Sequence, residues 1–302
     1  MTDRLMLLDT ASLYFRAFHG VPDTVTSPDG APVNAARGLL AMIAALSGAY
    51  QPERIVACWD DDWRPQWRVD LIPGYKAHRV AERVPDGADV EEIPAALEAQ
   101  LPLIRSCLDA LGIPVVGRAG YEADDIIGSL AAQSTGAVDV VTGDRDLFQL
   151  VDDTRNVRII YTARGMSNLE VVTDATVVAK YRVLPEQYAD FATLRGDPSD
   201  GLPGVPGVGE KTAATLLAAH GDIRGILAAA EAGEGMSAGV RAKVLAAADY
   251  LAVAPRVVAV ARDLDLGPVD GTVGNVDAAA AAALAERWGL GTAMERAVAA
   301  LT

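Results

Sequence analysis

Carboxylates are concentrated between Gly120 and Leu150, in two groups that could bind a cation. The stretch has the sequence GYEADDIIGSLAAQSTGAVDVVTGDRDLFQL, and its two close groups are Glu122, Asp124 and Asp125, then Asp144 and Asp146. Hard divalent cations prefer oxygen ligands of this kind. Acids in the first turn of a helix or in a polar turn also occur for structural reasons. A metal site is therefore expected only if other parts of the chain supply acids at matching positions.

The elements that carry these two groups are predicted from their periodicity. Residues 123–133 have helical spacing with one apolar stripe, which puts the first group at the amino end of a helix. Residues 138–141 form a β-branched run of strand length, and Asp144 follows it closely. If this strand is parallel and central, the second group lies beyond its carboxyl end, where open α/β sheets bind their ligands.

Two further apolar strands also end in an aspartate. Residues 5–8 run into Asp9, and residues 55–59 run into Asp60. Three strands that each deliver an aspartate at the carboxyl end predict one shared site at that edge of the sheet. The other elements predicted from the pattern are helices over 34–49, 93–111, 174–181, 185–194 and 210–220, strands over 113–116 and 157–161 (the second at an edge), and weaker helices to residue 300.

Composition sets broad limits on the class of protein. With 302 residues, 51% of them hydrophobic, the chain can bury one large core or two smaller ones. It has no apolar run of the roughly 18 residues that a membrane span needs, and its first residues lack a signal peptide. Cys58 and Cys107 are isolated in apolar segments, so we expect them to be buried and reduced, as in a cytoplasmic protein. Three scattered histidines do not predict a zinc site.

The net charge of −15 argues against a nucleic-acid partner. That objection weakens if the acids are gathered in one site, because salt screens the interaction of a charge beyond about 8–10 Å. Residues 63–84 are an exception in this acidic chain, with Trp63, Trp67 and Tyr75 interleaved among basic side chains, which are Arg64, Arg68, Lys76, Arg79 and Arg83. Such a mixture suits a phosphate backbone with stackable bases. The alternative is a surface loop that its tryptophans anchor to the core.

Residues 195–213, RGDPSDGLPGVPGVGEKTA, form the second informative stretch. Gly204 and Gly209 have the spacing of a nucleotide-binding P-loop, but Glu210 stands where that motif needs lysine, and no apolar strand precedes it. The glycines instead predict a tight turn between two helices, whose exposed amides hold a phosphate of duplex DNA. Lys211 and Thr212 can add to that contact. The alternative is a rigid turn that connects the two helices and binds no ligand.

These motifs together resemble the bacterial and phage 5′–3′ exonuclease and flap endonuclease family, which includes the N-terminal nuclease domain of bacterial DNA polymerase I. The resemblance covers nearly the whole chain and rests on LLDTASLYFRAF, YKAHR, GYEADD, TGDRDLFQL and GDPSDGLPGVPGVGEKTA. It implies an α/β fold: a PIN-like, mainly parallel sheet flanked by helices over residues 1–172, with a helical arch at about 61–92. An all-helical region over 173–302 would contain a helix-hairpin-helix element at about 186–220.

The resemblance also implies the roles of individual residues. Two Mg²⁺ or Mn²⁺ ions, with room for a third, would be held by nine acids, which are Asp9, Asp60, Glu122, Asp124, Asp125, Asp144, Asp146, Asp197 and Asp200. The first four match the ligands of one ion, and Asp144, Asp146 and Asp197 match those of the other. The residues matching those that orient the scissile phosphate are Arg16, Tyr75, Lys76 and Arg79. The hairpin residues matching the duplex-binding element, which can also hold K⁺, are Gly204, Val205, Gly207, Gly209, Lys211 and Thr212.

Two residues depart from the family pattern, Thr10 in place of a common Gly and Gly201 in place of a common Asn. The function implied is a structure-specific 5′ nuclease for DNA with 5′ flaps, nicks or 5′ overhangs, and for RNA–DNA primers, in replication and repair. We expect a monomeric, stand-alone enzyme without a polymerase, cytoplasmic and nucleoid-associated, with no membrane partner. One alternative is a Toprim-type fold, which is another kind of carboxylate–metal enzyme. It does not account for Asp9, Asp60 or the hairpin. The other alternative is a non-catalytic DNA-junction binding protein on the same scaffold. Such a protein would be expected to have lost carboxylates, and all nine are present.

Overall fold

A six-stranded sheet carries the acidic residues at one of its edges. The computed structural model describes residues 3–84 and 89–302. The sheet has the order β5-β2-β1-β6-β7-β8, and all neighbouring strands are parallel except β7 and β8. Its strands are β1 (Arg4–Asp9), β2 (Arg54–Cys58), β5 (Val115–Val116), β6 (Ala137–Thr142), β7 (Val157–Tyr161) and β8 (Glu170–Val172). A separate antiparallel ribbon consists of β3 (Val80–Glu82) and β4 (Val90–Glu91).

The two central strands confirm the prediction of parallel, buried strands. β1 lies between β2 and β6, with Leu5 opposite Val138. Alternate side chains of β1 enter different halves of the core, as the pleat requires: Leu5 and Leu7 on one face of the sheet, Met6 and Leu8 on the other. The prediction that residues 157–161 form an edge strand is wrong, because the short antiparallel β8 covers β7.

Fourteen α-helices surround the sheet in the described residues. They are α1 (Thr10–Gly20), α2 (Asn34–Tyr50), α3 (Gln66–Leu71), α4 (Ala95–Glu98), α5 (Leu101–Ala110), α6 (Ala123–Gln133), α7 (Asp174–Tyr181), α8 (Tyr188–Arg195), α9 (Glu210–His220), α10 (Ile223–Ala232), α11 (Ala238–Ala246), α12 (Ala248–Val258), α13 (Ala278–Trp288) and α14 (Gly291–Leu301). The single helix predicted over 93–111 is in fact α4 and α5. Pro102 starts the second helix, and the buried Gln100 between them accepts from the backbone N–H of Ala35 at 2.9 Å.

The prediction that the arch over 61–92 is helical is largely wrong for the residues that the structure describes. This segment contains the six-residue α3, a 3₁₀ turn over Ala77–Arg79 and the β3–β4 ribbon. Pro65 and Pro73 flank α3 and prevent a longer helix. Residues 85–88 of the predicted arch lie outside the described residues. The described residues of this segment, 61–84 and 89–92, are called the arch base below.

One hydrophobic core lies on each face of the sheet. On one face, β1 and α2 pack with α14, so the end of the chain returns to the first half of the protein. On the other face, Phe148 and Ile159 belong to the same cluster as Phe191 and Leu217 of the later helices. The domain boundary predicted at residue 172 stays a prediction, because this core is continuous across it. Both cysteines are buried and free, as expected.

The part of the chain that the structure describes contains no helix with the length and apolar character needed to cross a membrane.

Candidate active site

A cleft of about 390 Å³ lies at the carboxyl edge of β1, β2 and β6. The seven carboxylates that line it are Asp9, Asp60, Glu91, Glu122, Asp124, Asp144 and Asp197. The basic side chains along its walls are Lys76, Arg79 and Arg145. The sheet therefore brings together acids that are far apart in the sequence, as the three strand endings predicted.

Asp9 is the last residue of β1 and also the N-cap of α1. One carboxylate oxygen accepts from the backbone N–H of Ser12 at 3.2 Å, and the other accepts from the Thr142 hydroxyl at 2.6 Å. Burial raises the pKa of Asp9 to about 7, and the neighbouring charges of Asp60 and Asp144 add to the rise against these hydrogen bonds. Asp9 is thus held in place by donors that do not neutralise its charge.

Glu122 and Asp60 are placed by the amino end of α6. The Oδ1 atom of Asp60 accepts from the backbone N–H of Ala123 at 2.7 Å, and burial raises the pKa of this carboxyl. Glu122 accepts from the Tyr75 hydroxyl at 2.8 Å and from Nζ of Lys76 at 2.7 Å. The base of the arch therefore holds one of the cleft carboxylates directly.

Asp124, Asp144 and Asp146 repel one another across the cleft. Burial, followed by the charges of Asp144 and Asp9, raises the pKa of Asp124 well above its usual value. Asp146 is buried behind Asp144, and its pKa is raised by burial and by the charges of Asp144 and Asp200. The Oδ1 atom of Asp146 has no hydrogen-bond partner in the described structure. The charge of Asp144 thus makes ionisation of both Asp124 and Asp146 unfavourable in the metal-free fold.

The turn before the hairpin places Asp197 in the cleft lining, whereas Asp200 of the same turn does not line it. Asp197 accepts from the backbone N–H of Ser199 at 2.9 Å, and Asp200 pairs with Arg79 at 3.3 Å. The backbone N–H of Lys76 donates to the Asp200 carbonyl at 2.9 Å, which joins this turn to the arch base. A Cβ at Gly201 would come within 2.3 Å of the Gly74 carbonyl, so the departure from Asn at this position has a steric reason.

The donor set fits divalent cations that prefer oxygen. Across residues 3–84 and 89–302, no three His, Cys, Asp or Glu side chains already converge as ligands on one point. The cleft carboxylates instead turn to protein donors, as Glu122 does to Lys76. The raised pKa of Asp9 and the unpartnered oxygen of Asp146 both indicate that added positive charge would be favourable here. The residues present are therefore suited to hold such ions.

The position of Asp125 does not support its expected role as a direct metal ligand. It is fully buried and does not line the cleft; its oxygens accept from Nη1 and Nη2 of Arg68 at 2.8 and 2.9 Å. The backbone N–H groups of Ala261 and Glu122 complete its shell at 2.8 and 3.2 Å. Successive positions on a helix point about 100° apart, so Asp124 faces the cleft while Asp125 faces the core.

Two residues expected to contact the substrate lie elsewhere. Tyr75 is buried, with its hydroxyl on Glu122, so it holds that carboxylate and does not face DNA. Arg16 lines a neighbouring groove that shares Ser12 and Phe15 with the cleft, and its buried Nε has no partner in the described structure. Lys76 and Arg79, by contrast, stand at the cleft wall as expected.

The hairpin before α9 has the backbone conformation that its glycines predict. Gly204 and Gly207 have φ values of +66° and +73°, a region that other residues rarely adopt. Gly209 is the N-cap of α9 and supplies no side-chain cap, which leaves the first amides of that helix available. Val205 does not fit the predicted contact, since it is buried and its N–H donates to the Leu194 carbonyl at 2.9 Å. Lys211 is exposed beside the hairpin.

The sequence pattern did not identify Arg145 or Lys243, and it grouped Arg68 with basic residues that suit a phosphate backbone. Arg68 is buried against Asp125, Arg145 lines the cleft, and Lys243 donates to the Gly207 carbonyl at 3.1 Å. The position of Arg145 between two acids of the site was a usable signal. Nothing local in the sequence could have located the other two, because their partners are distant along the chain.

A parallel sheet with an acidic cleft at its carboxyl edge, followed by a helix-hairpin-helix element, defines a PIN-like nuclease. Two family models match: the N-terminal resolvase-like domain of 5′-3′ exonuclease over residues 4–182 and its C-terminal SAM fold over residues 183–278. The chain belongs to the 5′-3′ exonuclease family. Its fold and family are therefore those that the sequence motifs implied.

Named relatives agree with this assignment. A 5′-3′ exonuclease of Streptomyces coelicolor is 58% identical over 98% of this chain and 100% of its own length. The DNA polymerase I of Mycobacterium leprae is 43% identical over 74% of this chain and 23% of its own. The T5 D15 protein, crystallised with metal ions, is similar in fold with a TM-score of 0.65 and 18% identity, over 99% of this chain and 100% of that one.

Proposed function

We propose that this chain is a metal-dependent, structure-specific 5′ nuclease that hydrolyses DNA phosphodiesters at 5′ flaps and degrades DNA from 5′ to 3′. Family membership supports the reaction class. The observation that carries the metal dependence is the cleft at the ends of three parallel strands, where seven carboxylates meet. Their mutual repulsion would be relieved by cations of the size and hardness of Mg²⁺ or Mn²⁺.

Two ions would be held by two groups of these carboxylates. Asp9, Asp60, Glu122 and Asp124 would hold one of them. Asp144 and Asp197, supported from behind by Asp146, would hold the other. When bound, such ions activate a water molecule and stabilise the charge that develops on the phosphodiester. A third ion, and K⁺ at the hairpin, remain expectations from the family.

The chain's own residues would orient the substrate. Lys76 and Arg79 stand at the cleft wall, where they can donate to the oxygens of the reacting phosphate. The hairpin amides near Gly207 and Gly209, with Lys211, would bind a phosphate of the duplex without contacting bases. This division of labour separates a duplex-binding element from the reacting centre.

The substrates that we propose are DNA with 5′ flaps, nicks or 5′ overhangs, and RNA–DNA primers, processed during replication and repair. DNA polymerase I relatives with a similar nuclease region support this setting. We further propose that the enzyme acts as a monomer in the cytoplasm, on nucleoid DNA.

Cleavage assays on matched substrates test the proposal. The purified chain should cut a 5′-flap duplex faster than a 3′-flap or blunt duplex, with Mg²⁺ or Mn²⁺ and not with chelator. Asp144→Asn should abolish the cutting, while Asp249→Asn, a change at an exposed aspartate of α12, should leave it unchanged. Binding of the 5′-flap duplex without cutting under any metal condition would favour the non-catalytic junction-binding alternative and refute the nuclease proposal.

A further inference from the structure

A buried charge with several polar partners lies outside the cleft, on the short helix α3. Arg68 is 2% exposed, and its guanidinium makes a two-pronged pair with Asp125. Its Nε donates to the Val257 carbonyl at 3.0 Å, and its Nη1 lies 3.4 Å from the Glu122 carboxylate. One side chain thus contacts the arch base, the amino end of α6 and the end of α12.

Glu122 is the cleft residue that these contacts reach. Its carboxylate is surrounded by Arg68, Tyr75 and Lys76, all of which come from the arch base. Asp125 acts on Glu122 from the other side, since its Oδ2 accepts from the Glu122 backbone N–H. Both the backbone and the side chain of Glu122 are therefore held by the same buried ion pair.

We propose that Arg68 and Asp125 form a positioning pair, which fixes the Glu122 carboxylate at the cleft and joins the arch base to α6. Neither member of the pair lines the cleft, and both act on it through Glu122. This inference rests on the proposed nuclease function, and it gives Asp125 a role other than metal ligand. Arginine suits the role because its planar fork fixes the angle as well as the distance to a carboxylate, which a lysine cannot do.

A purely structural role is the competing explanation. Buried ion pairs often contribute little net stability, and removing one partner leaves a buried charge. A matched control is available in the buried Asp139 of β6, which pairs with Arg158 at 2.7 Å away from the cleft. Variants of that pair should lower stability without changing catalysis by the folded enzyme.

The test compares Arg68→Lys, Arg68→Met, Asp125→Asn and the double variant Arg68→Met/Asp125→Asn with the control Asp139→Asn/Arg158→Met. Thermal melting establishes which variants are folded at the assay temperature. Four quantities are then measured: kcat and KM for a 5′-flap duplex at saturating Mg²⁺, Kd for the same DNA in chelator, and Mn²⁺ affinity by calorimetry without DNA.

We expect Arg68→Lys to lower kcat at least tenfold, because a small misplacement of a catalytic group has effects of up to about 10². KM and Kd should change less than twofold, and Mn²⁺ affinity should fall at least threefold. The double variant should be no slower than Arg68→Met alone, since residues that act as a unit are not additive. The control pair should keep wild-type kcat and Mn²⁺ affinity.

The inference is overturned if folded Arg68→Lys keeps wild-type kcat, or if the control pair loses kcat equally. A double variant much slower than Arg68→Met would also overturn it, by showing that Asp125 acts independently. If Arg68→Met does not fold, Arg68→Lys and Asp125→Asn decide. If the wild type itself does not cut DNA, the proposed function fails. In that case only the Mn²⁺ titration tests the positioning pair, and an unchanged Mn²⁺ affinity in Arg68→Lys overturns the inference.

Discussion

Asp9→Asn should make the metal-free protein more stable at alkaline pH, although it removes a proposed ligand. The wild-type carboxyl has a pKa of about 7 in the folded state against a usual value of 3.8. Between these values the folded chain holds a proton that the unfolded chain has released. The stability from this group is therefore complete below pH 3.8, falls as pH rises, and is lost above about pH 7.

The size of the effect follows from that difference in pKa. One pKa unit corresponds to about 1.4 kcal/mol, so the ionised carboxylate destabilises the metal-free fold by about 4 kcal/mol at pH 8.5. Asparagine is as good an N-cap as aspartate, and its amide can donate to Thr142, so the loss of a charge-assisted hydrogen bond costs about 1 kcal/mol. We expect a net gain of about 3 kcal/mol, or about 6 °C in Tm for a chain of this size.

The measurement is a set of thermal or urea unfolding curves in chelator at pH 8.5 and 5.5, repeated with Mg²⁺. The advantage of Asp9→Asn should fall to about half at pH 5.5, because the wild-type carboxyl is then largely protonated in the folded state. Mg²⁺ should stabilise the wild type more than the variant. Asp139→Asn is a control that should lower the stability instead of raising it, since it leaves Arg4 and Arg158 without their buried partner.

A variant no more stable than wild type in chelator at pH 8.5 would refute this reasoning. So would an advantage that is the same at both pH values. Either result would mean that the charge on Asp9 is already compensated in the metal-free fold, and the argument that this cleft needs cations would lose its electrostatic basis.

Three further predictions concern the reaction and the DNA contacts. Asp144→Asn should abolish metal-dependent cutting while DNA binding in chelator stays within twofold of wild type; near-normal cutting over a range of metal concentrations would exclude Asp144 as a ligand. Lys76→Ala and Arg79→Ala should each slow flap cutting by about 10²–10³ and weaken binding much less, and equal losses in single-turnover rate and Kd would make them electrostatic anchors. Gly207→Val should weaken duplex binding because its φ is +73°, and Lys211→Ala should reduce the salt slope of log K by up to about one. Short single strands should still be cut by both hairpin variants, so a folded variant that loses both activities equally would contradict a separate duplex-binding role.

The cleft could be predicted from the sequence because strand order and side-chain direction follow simple rules. Apolar runs that end in Asp9 and Asp60 sit beside one another once the strands are parallel, and β6 delivers Asp144 to the same edge. The glycine conformations of the hairpin were likewise predictable, because tight turns need positive φ. In both cases a local pattern determines the geometry.

The roles of Asp125, Tyr75 and Val205 could not be predicted in the same way. Asp124 and Asp125 are adjacent in one motif, and whether each faces the cleft or the core depends on how α6 is rotated against Arg68. Tyr75 is buried because Glu122, distant in the sequence, offers its hydroxyl an acceptor. These outcomes depend on tertiary partners, and a family motif transfers the residue without its environment.

A chain with net charge −15 can bind a polyanion if its charges are separated in space. Seven of the 41 Asp and Glu side chains line one cleft, where burial raises the pKa of Asp9 to about 7 and also raises the pKa of Asp60. Lys76 and Arg79 stand on the wall of that cleft, and the hairpin presents neutral amides that need no compensating base. A phosphate on the hairpin would be close to Lys211 and the amides, and also to the exposed Glu210, whose carboxylate shares Arg195 with Asp197 of the cleft. The net charge of the whole chain therefore does not by itself describe the surface that would contact DNA, because salt screens each charge beyond about 8–10 Å.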